Sequence, residues 1–136
     1  GFTYSGHPVA AAVAIANIKL MKEENIVDYV GKDIGPYFQQ KLRDALADHP
    51  LVGHIEGVGL VAGMALMKDK ATKEQFGDDI DIGMICRDHC FSNGLIMRAV
   101  GSRMVLSPPL VISHEEVDEL CQKAKLCFDL TLKSVS

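Results

Sequence analysis

Val52-Gly-His-Ile-Glu-Gly-Val-Gly-Leu-Val-Ala-Gly-Met-Ala-Leu-Met67 reads as two strands, Val52 to Glu56 and Leu60 to Met67, joined at Gly57-Val58-Gly59. In the second strand Leu60, Ala62, Met64 and Leu66 face one way, and Val61, Ala65 and Met67 face the other. Apolar residues on both faces predict a sheet covered on both sides. The glycines at 57, 59 and 63 form Gly-x-Gly-x3-Gly. That is not the dinucleotide-binding spacing, and it leads into a strand rather than a helix, so a turn with close strand packing is the expected role.

Upstream of this hairpin the chain reads as helix. Residues 1–7 form a loop, and Pro8 suits the first helical position, where its missing N–H costs nothing. From Val9 to Glu24 the residues are good helix formers, and the helix is apolar nearly all round until Lys19. Such a helix wants cover on every side, which a domain of this size rarely supplies, so a further domain or a second subunit is expected against it. A second helix is predicted from about Ile26 to Asp48, with Val30, Ile34, Phe38, Leu42 and Leu46 at four-residue spacing along one face. Gly35-Pro36 predicts a kink or break within it, and His49-Pro50 ends it.

Downstream, Lys68 to Asp79 is a charged loop, followed by a helix from about Ile80 to Ser92 that stops at Asn93-Gly94. Leu95 to Ala99 and Arg103 to Leu106 predict a hairpin around Val100-Gly101-Ser102, and Pro108-Pro109 breaks the strand. Ser113 and Glu116 form a capping box for a last helix ending near Lys133, with Val117, Leu120, Cys121, Ala124, Cys127 and Phe128 on one face. The order of elements predicts an α+β fold with a mainly antiparallel sheet.

At 136 residues and 48% hydrophobic content, the chain is one domain or part of one, given domains of about 100–200 residues. Charged residues make up 24% and the mean hydropathy is +0.12, which excludes a disordered tail. Fourteen basic against eighteen acidic residues give a net charge of −4, so nucleic acid is not an expected partner. No apolar run reaches the roughly 20 residues that cross a bilayer, and no signal peptide is visible, so no membrane partner is expected. Four cysteines are too sparse for a disulfide scaffold and suit a reducing cytoplasm. The front of the chain, Gly-Phe-Thr-Tyr without a start Met, is expected to lie in mid-protein.

Several groups could carry chemistry. Cys86, His89 and Cys90 share a helical face, but no second ligand pair lies at finger spacing, so buried structural cysteines are expected rather than a metal. His49, His54 and His114 have no obvious partner and read as surface or loop residues. No Ser/His/Asp triad can be argued, because no serine sits in a Gly-x-Ser-x-Gly elbow. Thr3-Tyr4-Ser5-Gly6-His7-Pro8 gathers hydroxyls and free N–H groups before a helix N-terminus. This is either a phosphate-type anion site or a plain capping loop. Arg98 ends an apolar strand, where it either snorkels or pairs with a carboxylate of the protein, or offers a bidentate fork to a substrate carboxylate.

Taken together, these segments resemble the class III aminotransferases. Gly1-Phe-Thr-Tyr-Ser-Gly-His-Pro8 with its Ala-rich helix is similar to the segment after the cofactor lysine. Gly57-Val-Gly-Leu-Val-Ala-Gly63 resembles the strand opening the C-terminal domain. Gly94-Leu-Ile-Met-Arg-Ala-Val-Gly101 and Leu106-Ser-Pro-Pro-Leu-Val-Ile112 resemble the closing hairpin, and Glu115-Glu-Val-Asp118 the last helix. The order and spacing hold across the whole chain, and the branch most resembled is the ω-aminotransferases that pass amino groups from amines or ω-amino acids to pyruvate.

The resemblance implies a fold-type I enzyme that uses pyridoxal 5'-phosphate, with active sites between two subunits of a homodimer. Residues 1–25 would be the phosphate loop and interdomain helix at the end of a large domain, and residues 26–136 the C-terminal small domain. Thr3 would bind the cofactor phosphate in the partner subunit's site through its hydroxyl and N–H, with Phe2 beside the same pocket. Arg98 would be the mobile arginine that pairs with the substrate carboxylate and swings away for amines. The Schiff-base lysine would lie a few tens of residues before Gly1, and none of the chain's ten lysines sits in its context, so the chain alone is expected to be inactive. Glu56 stands where many relatives have Arg, and Ser102 where close relatives have Asp, which leaves fine substrate preference open. Two alternatives stand beside this reading: a free-standing α+β binding or regulatory module, and a decarboxylase or aminomutase on the same fold.

Overall fold

The computed structural model describes residues 2–136; Gly1, the first residue of the quoted motif, lies outside the described residues. Helix α1 (Pro8–Glu23) begins at the proline, as expected, with Pro8 in its first turn. Asn25, in the left-handed conformation at φ 54°, turns the chain from α1 into a helical run. That run comprises α2 (Ile26–Tyr29), a π-helical segment Val30–Ile34, and α3 (Gly35–Leu46).

At the disturbance predicted for Gly35-Pro36 the helix does not break but widens locally into a π-helical turn. Pro36 has no N–H to offer the preceding turn. The Gly35 N–H reaches back five residues to the Val30 carbonyl, and the run continues without a break. Gly35 also packs against the β1–β2 turn, where a Cβ would sit 2.9 Å from Gly59 Cα.

Strands β1 (Val52–Val58), β2 (Val61–Leu66), β3 (Arg98–Val100) and β4 (Arg103–Leu106) form one antiparallel sheet in the order β1-β2-β4-β3. Gly59 turns the first hairpin at φ 56°, and Gly101 the second at φ 54°. β3 is shorter than the predicted Leu95–Ala99. It begins at Arg98 and runs one residue further, to Val100, where it meets Arg103 at the Gly101 turn.

Helix α4 (Ile82–Ser92) starts two residues later than expected, where the Asp81 side chain accepts from the Met84 N–H. Helix α5 (His114–Val135) opens with the expected capping box: Ser113 Oγ accepts from Glu116 N at 3.2 Å, and Glu116 Oε2 accepts from Ser113 N at 2.8 Å.

The core lies between one sheet face and the helices α3, α4 and α5. Val52, Ala62, Met64, Leu66, Met104 and Leu106 point into it from the strands, and Phe38, Leu42, Leu46, Cys86, Cys90 and Phe128 meet them from the helices. The predicted cover on both faces holds for this face only. On the outer face Val58, Val61, Ile96 and Val100 are 81%, 52%, 78% and 51% exposed.

Helix α1 has no buried residue, as its all-round apolar composition foreshadowed. The accessible area of 8553 Å² exceeds the roughly 7,000 Å² expected for a compact protein of this mass, in keeping with the bare helix and the bare sheet face. No helix among the described residues is long and apolar enough to cross a membrane.

Candidate functional site

Residues 2–7 fold as two tight turns ahead of α1. Ser5 N–H donates to Phe2 O at 3.0 Å, His7 N–H donates to Tyr4 O at 3.3 Å, and Gly6 takes φ +77°. His7 is the N-cap, its Nδ1 accepting from Ala10 N–H at 3.4 Å. This cap was not legible in the sequence, because helix caps favour Ser, Thr, Asp and Asn. The turns use neither the Thr3 N–H nor its hydroxyl, and Phe2 is 88% exposed. The first acidic residue of the chain is Glu23, so these donors and the positive end of a 16-residue helix face no local carboxylate.

Arg98 is the first residue of β3, on an edge strand. Its neighbours Leu95 and Met97 are buried, so Arg98, with Ile96 and Val100, points to the outer face. Among the described residues no carboxylate lies within ion-pair distance of it. The hairpin's other arginine, Arg103, pairs with Glu56 at 2.8 Å, and His54 approaches the same carboxylate at 3.8 Å. Phe2 and Thr3 thus share one turn, while Arg98 stands on a separate element.

The remaining candidates are structural. All four cysteines are free and buried, as expected. Burial pushes the Cys121 thiol up to about 11, and the adjacent Cys86 thiol together with burial pushes Cys90 well above the usual thiol range. Neither is a ready nucleophile. No metal-holding group of His, Cys, Asp and Glu is found among the described residues, and His89 instead meets Ser134 Oγ at 2.9 Å.

Two histidines have partners that the sequence did not show. His49 lies in the loop before β1, as expected, but is buried rather than on the surface: it is 6% exposed, edge-on to Phe128, its Nδ1 accepting from Leu51 N–H at 3.2 Å and its Nε2 lying 3.2 Å from Asp129 Oδ1. His114 Nε2 lies 3.0 Å from Asp33 Oδ1, with its ring against Tyr37. Both partners lie about 80 residues away in sequence, so spacing gave no signal.

Gln39 was also missed. Its Nε2 donates to Gly59 O at 3.0 Å and Val61 O at 3.1 Å, fixing the β1–β2 turn to α3. A Cβ on Gly57 would clash with the Val61 carbonyl and with the Gln39 amide, so the glycine at 57 is the room this tie requires.

The family described as aminotransferase class-III matches residues 1–128. The putrescine–pyruvate aminotransferase of Pseudomonas aeruginosa is 55% identical over 135 residues, which is 99% of this chain and 29% of that protein. The mitochondrial gamma-aminobutyrate transaminase 1 of Oryza sativa subsp. indica is 43% identical over 120 residues, 88% of this chain and 23% of that one. A structure from work on directed evolution of transaminases by ancestral reconstruction superposes with a TM-score of 0.94 at 39% identity, covering 100% of this chain and 30% of that one. The PMP-bound aminotransferase of Vibrio fluvialis superposes at 0.92 with 31% identity, again over 100% of this chain and 30% of that one. The chain therefore spans under a third of the length of these relatives.

Proposed function

Because the chain belongs to the class III aminotransferases, a pyridoxal-phosphate-dependent family, we propose that it is part of an enzyme moving an amino group from an amine or ω-amino acid to a keto acid such as pyruvate. In this reading residues 1–25 are the phosphate loop and interdomain helix at the end of a large domain, and residues 26–136 are the small domain. The absence of buried residues in α1 supports that division, since such a helix takes its cover from elsewhere. A second identical subunit shares the active site. The four free, buried cysteines are in keeping with a reducing compartment such as the cytoplasm.

The turn at 2–7 fits a phosphate group. It offers the Thr3 hydroxyl and N–H, the Val9 N–H as the one first-turn donor that neither Pro8 nor the His7 cap removes, and no acidic residue nearby in sequence to repel an anion. When bound, the cofactor supplies the electron sink for proton removal beside the nitrogen. This chain's part is binding and orientation. Thr3 donates to the phosphate in the partner subunit's site, with Phe2 flanking the same pocket. Arg98 binds the substrate carboxylate as a bidentate fork and turns outward when the substrate is a simple amine. The lysine that holds the cofactor is expected outside residues 1–136, so the chain alone carries no nucleophile for the first step.

The observation that carries the reading is Arg98 itself: an arginine on an exposed strand face with no protein carboxylate within ion-pair distance, inside a chain of this family. In the full-length enzyme, Arg98→Ala is expected to slow the half-reaction of a carboxylate-bearing donor such as alanine far more than that of a simple amine. A desolvated charge pair broken on one side typically costs about 2–5 kcal/mol. Equal losses for both donors would make Arg98 structural.

A further inference from the structure

The outer face of the sheet carries two arginines, and the structure gives them different partners. Arg98 faces Val105 across the β3–β4 ladder, and Arg103 faces Val100. The two are therefore diagonal neighbours on one face, roughly 7–8 Å apart at the backbone, within reach of one another's ligands for side chains of this length. Arg98 has no carboxylate partner among the described residues. Arg103 Nη1 lies 2.8 Å from Glu56 Oε1, reached across β2 over Gly63 and Ala65. The floor between Glu56 and Arg98 is the row Glu56–Gly63–Val105–Arg98, which is open because Gly63 has no side chain; the nearest atom to a Cβ there would be Glu56 Cγ at 3.9 Å.

We propose that Glu56 is a specificity-determining positioning residue: by holding Arg103 it withholds a second cation from the site Arg98 serves, and so favours monocarboxylate over dicarboxylate keto acids. The proposal rests on the reading of Arg98 as the substrate-carboxylate clamp. A keto acid such as pyruvate needs one cation. A dicarboxylate brings a second charge to the same face, where it finds Arg103 already neutralised and the Glu56 carboxylate beside it. Selection here comes from repulsion as much as from attraction. Both partners are more than half exposed, their side chains at 61% and 58%, which limits the effect to severalfold rather than orders of magnitude.

The test uses the full-length holoenzyme with one amine donor, comparing kcat/KM for 2-oxoglutarate with that for pyruvate. Glu56→Gln is expected to raise the 2-oxoglutarate-to-pyruvate ratio about fivefold, the ceiling an exposed pair sets, through a lower KM for the dicarboxylate rather than a higher kcat. Adding Arg103→Gln should abolish the gain. Arg103→Gln alone leaves Glu56 uncompensated and should lower the ratio, which keeps the proposal falsifiable if the Glu56 variant fails to fold. A ratio unmoved within about twofold in both single variants would overturn the proposal. Arg98→Gln separates the two ways of failing. If it slows both keto acids but not the amine half-reaction while Glu56→Gln leaves the ratio unmoved, only the Glu56 assignment falls. If it slows amine and keto acids alike, the clamp reading falls and takes this proposal with it.

Discussion

A methyl group on Gly35 would run into the Val30 carbonyl and lie 2.9 Å from Gly59 Cα, both backbone atoms that cannot swing aside. Gly35→Ala is therefore expected to destabilise the fold by about 1–3 kcal/mol, the range for overpacking, as read from the urea midpoint. A substitution at Gly31, where a Cβ meets nothing within 4 Å, serves as the control. His49 makes a second prediction at this scale. Burial pushes its imidazole below the ordinary 6.5, against the opposing pull of Asp129; Lys125 and Lys70 push the same way as burial. Its Nδ1 accepts a backbone N–H, so protonation breaks that bond. The folded state thus holds fewer protons than the unfolded chain, and stability is full above about pH 6.5 and falls as pH drops from there through the lower folded value. Urea midpoints between pH 7.5 and 5 should show this slope, and His49→Gln should flatten it. Asp129, whose carboxyl the Lys125 ammonium holds below its ordinary 3.8, adds stability that is full above that value and is lost only as pH falls below it, outside the range of this measurement. Neither contact was legible in sequence, because each joins residues brought together by folding alone. Arg98 and Thr3 stood out as candidates in their local runs, while the roles proposed for them come from the family resemblance.

At the scale of elements, the strands and most helix ends were readable from turn chemistry: Pro8, Asn93-Gly94, Gly101, and the Ser113–Glu116 box all act where the sequence puts them. The π-segment was not, because Pro36 announces a disturbance without specifying how the backbone absorbs it. The second cover for the sheet failed for a different reason. Apolar residues on both faces do not specify which of them this chain covers, and only the face toward α3, α4 and α5 is buried. Helix α1 poses the same situation more sharply. Val9, Val13, Ile15, Ile18 and Leu20 are 49–64% exposed on more than one side. The isolated chain is expected to self-associate through this helix, with mass rising over a concentration series in light scattering. Ala12→Glu with Ile15→Lys should suppress the rise. A clean monomer at every concentration, unchanged by these substitutions, would mean the helix folds back on its own domain.

At the scale of the whole molecule, the turn and the outer sheet face share one feature: Arg98 has no carboxylate partner and Phe2 beside Thr3 is exposed, among the described residues. The chain spans under a third of its relatives' length. The most direct test is alanine production from pyruvate by the full-length protein, with an ω-amino acid or a diamine as donor. Alanine should form one-for-one with the carbonyl product, depend on added pyridoxal phosphate, and be absent when residues 1–136 are assayed alone. No alanine from the full-length protein, with carbon dioxide released or the amino group shifted within the donor instead, would contradict the transaminase reading and place the protein with decarboxylases or aminomutases.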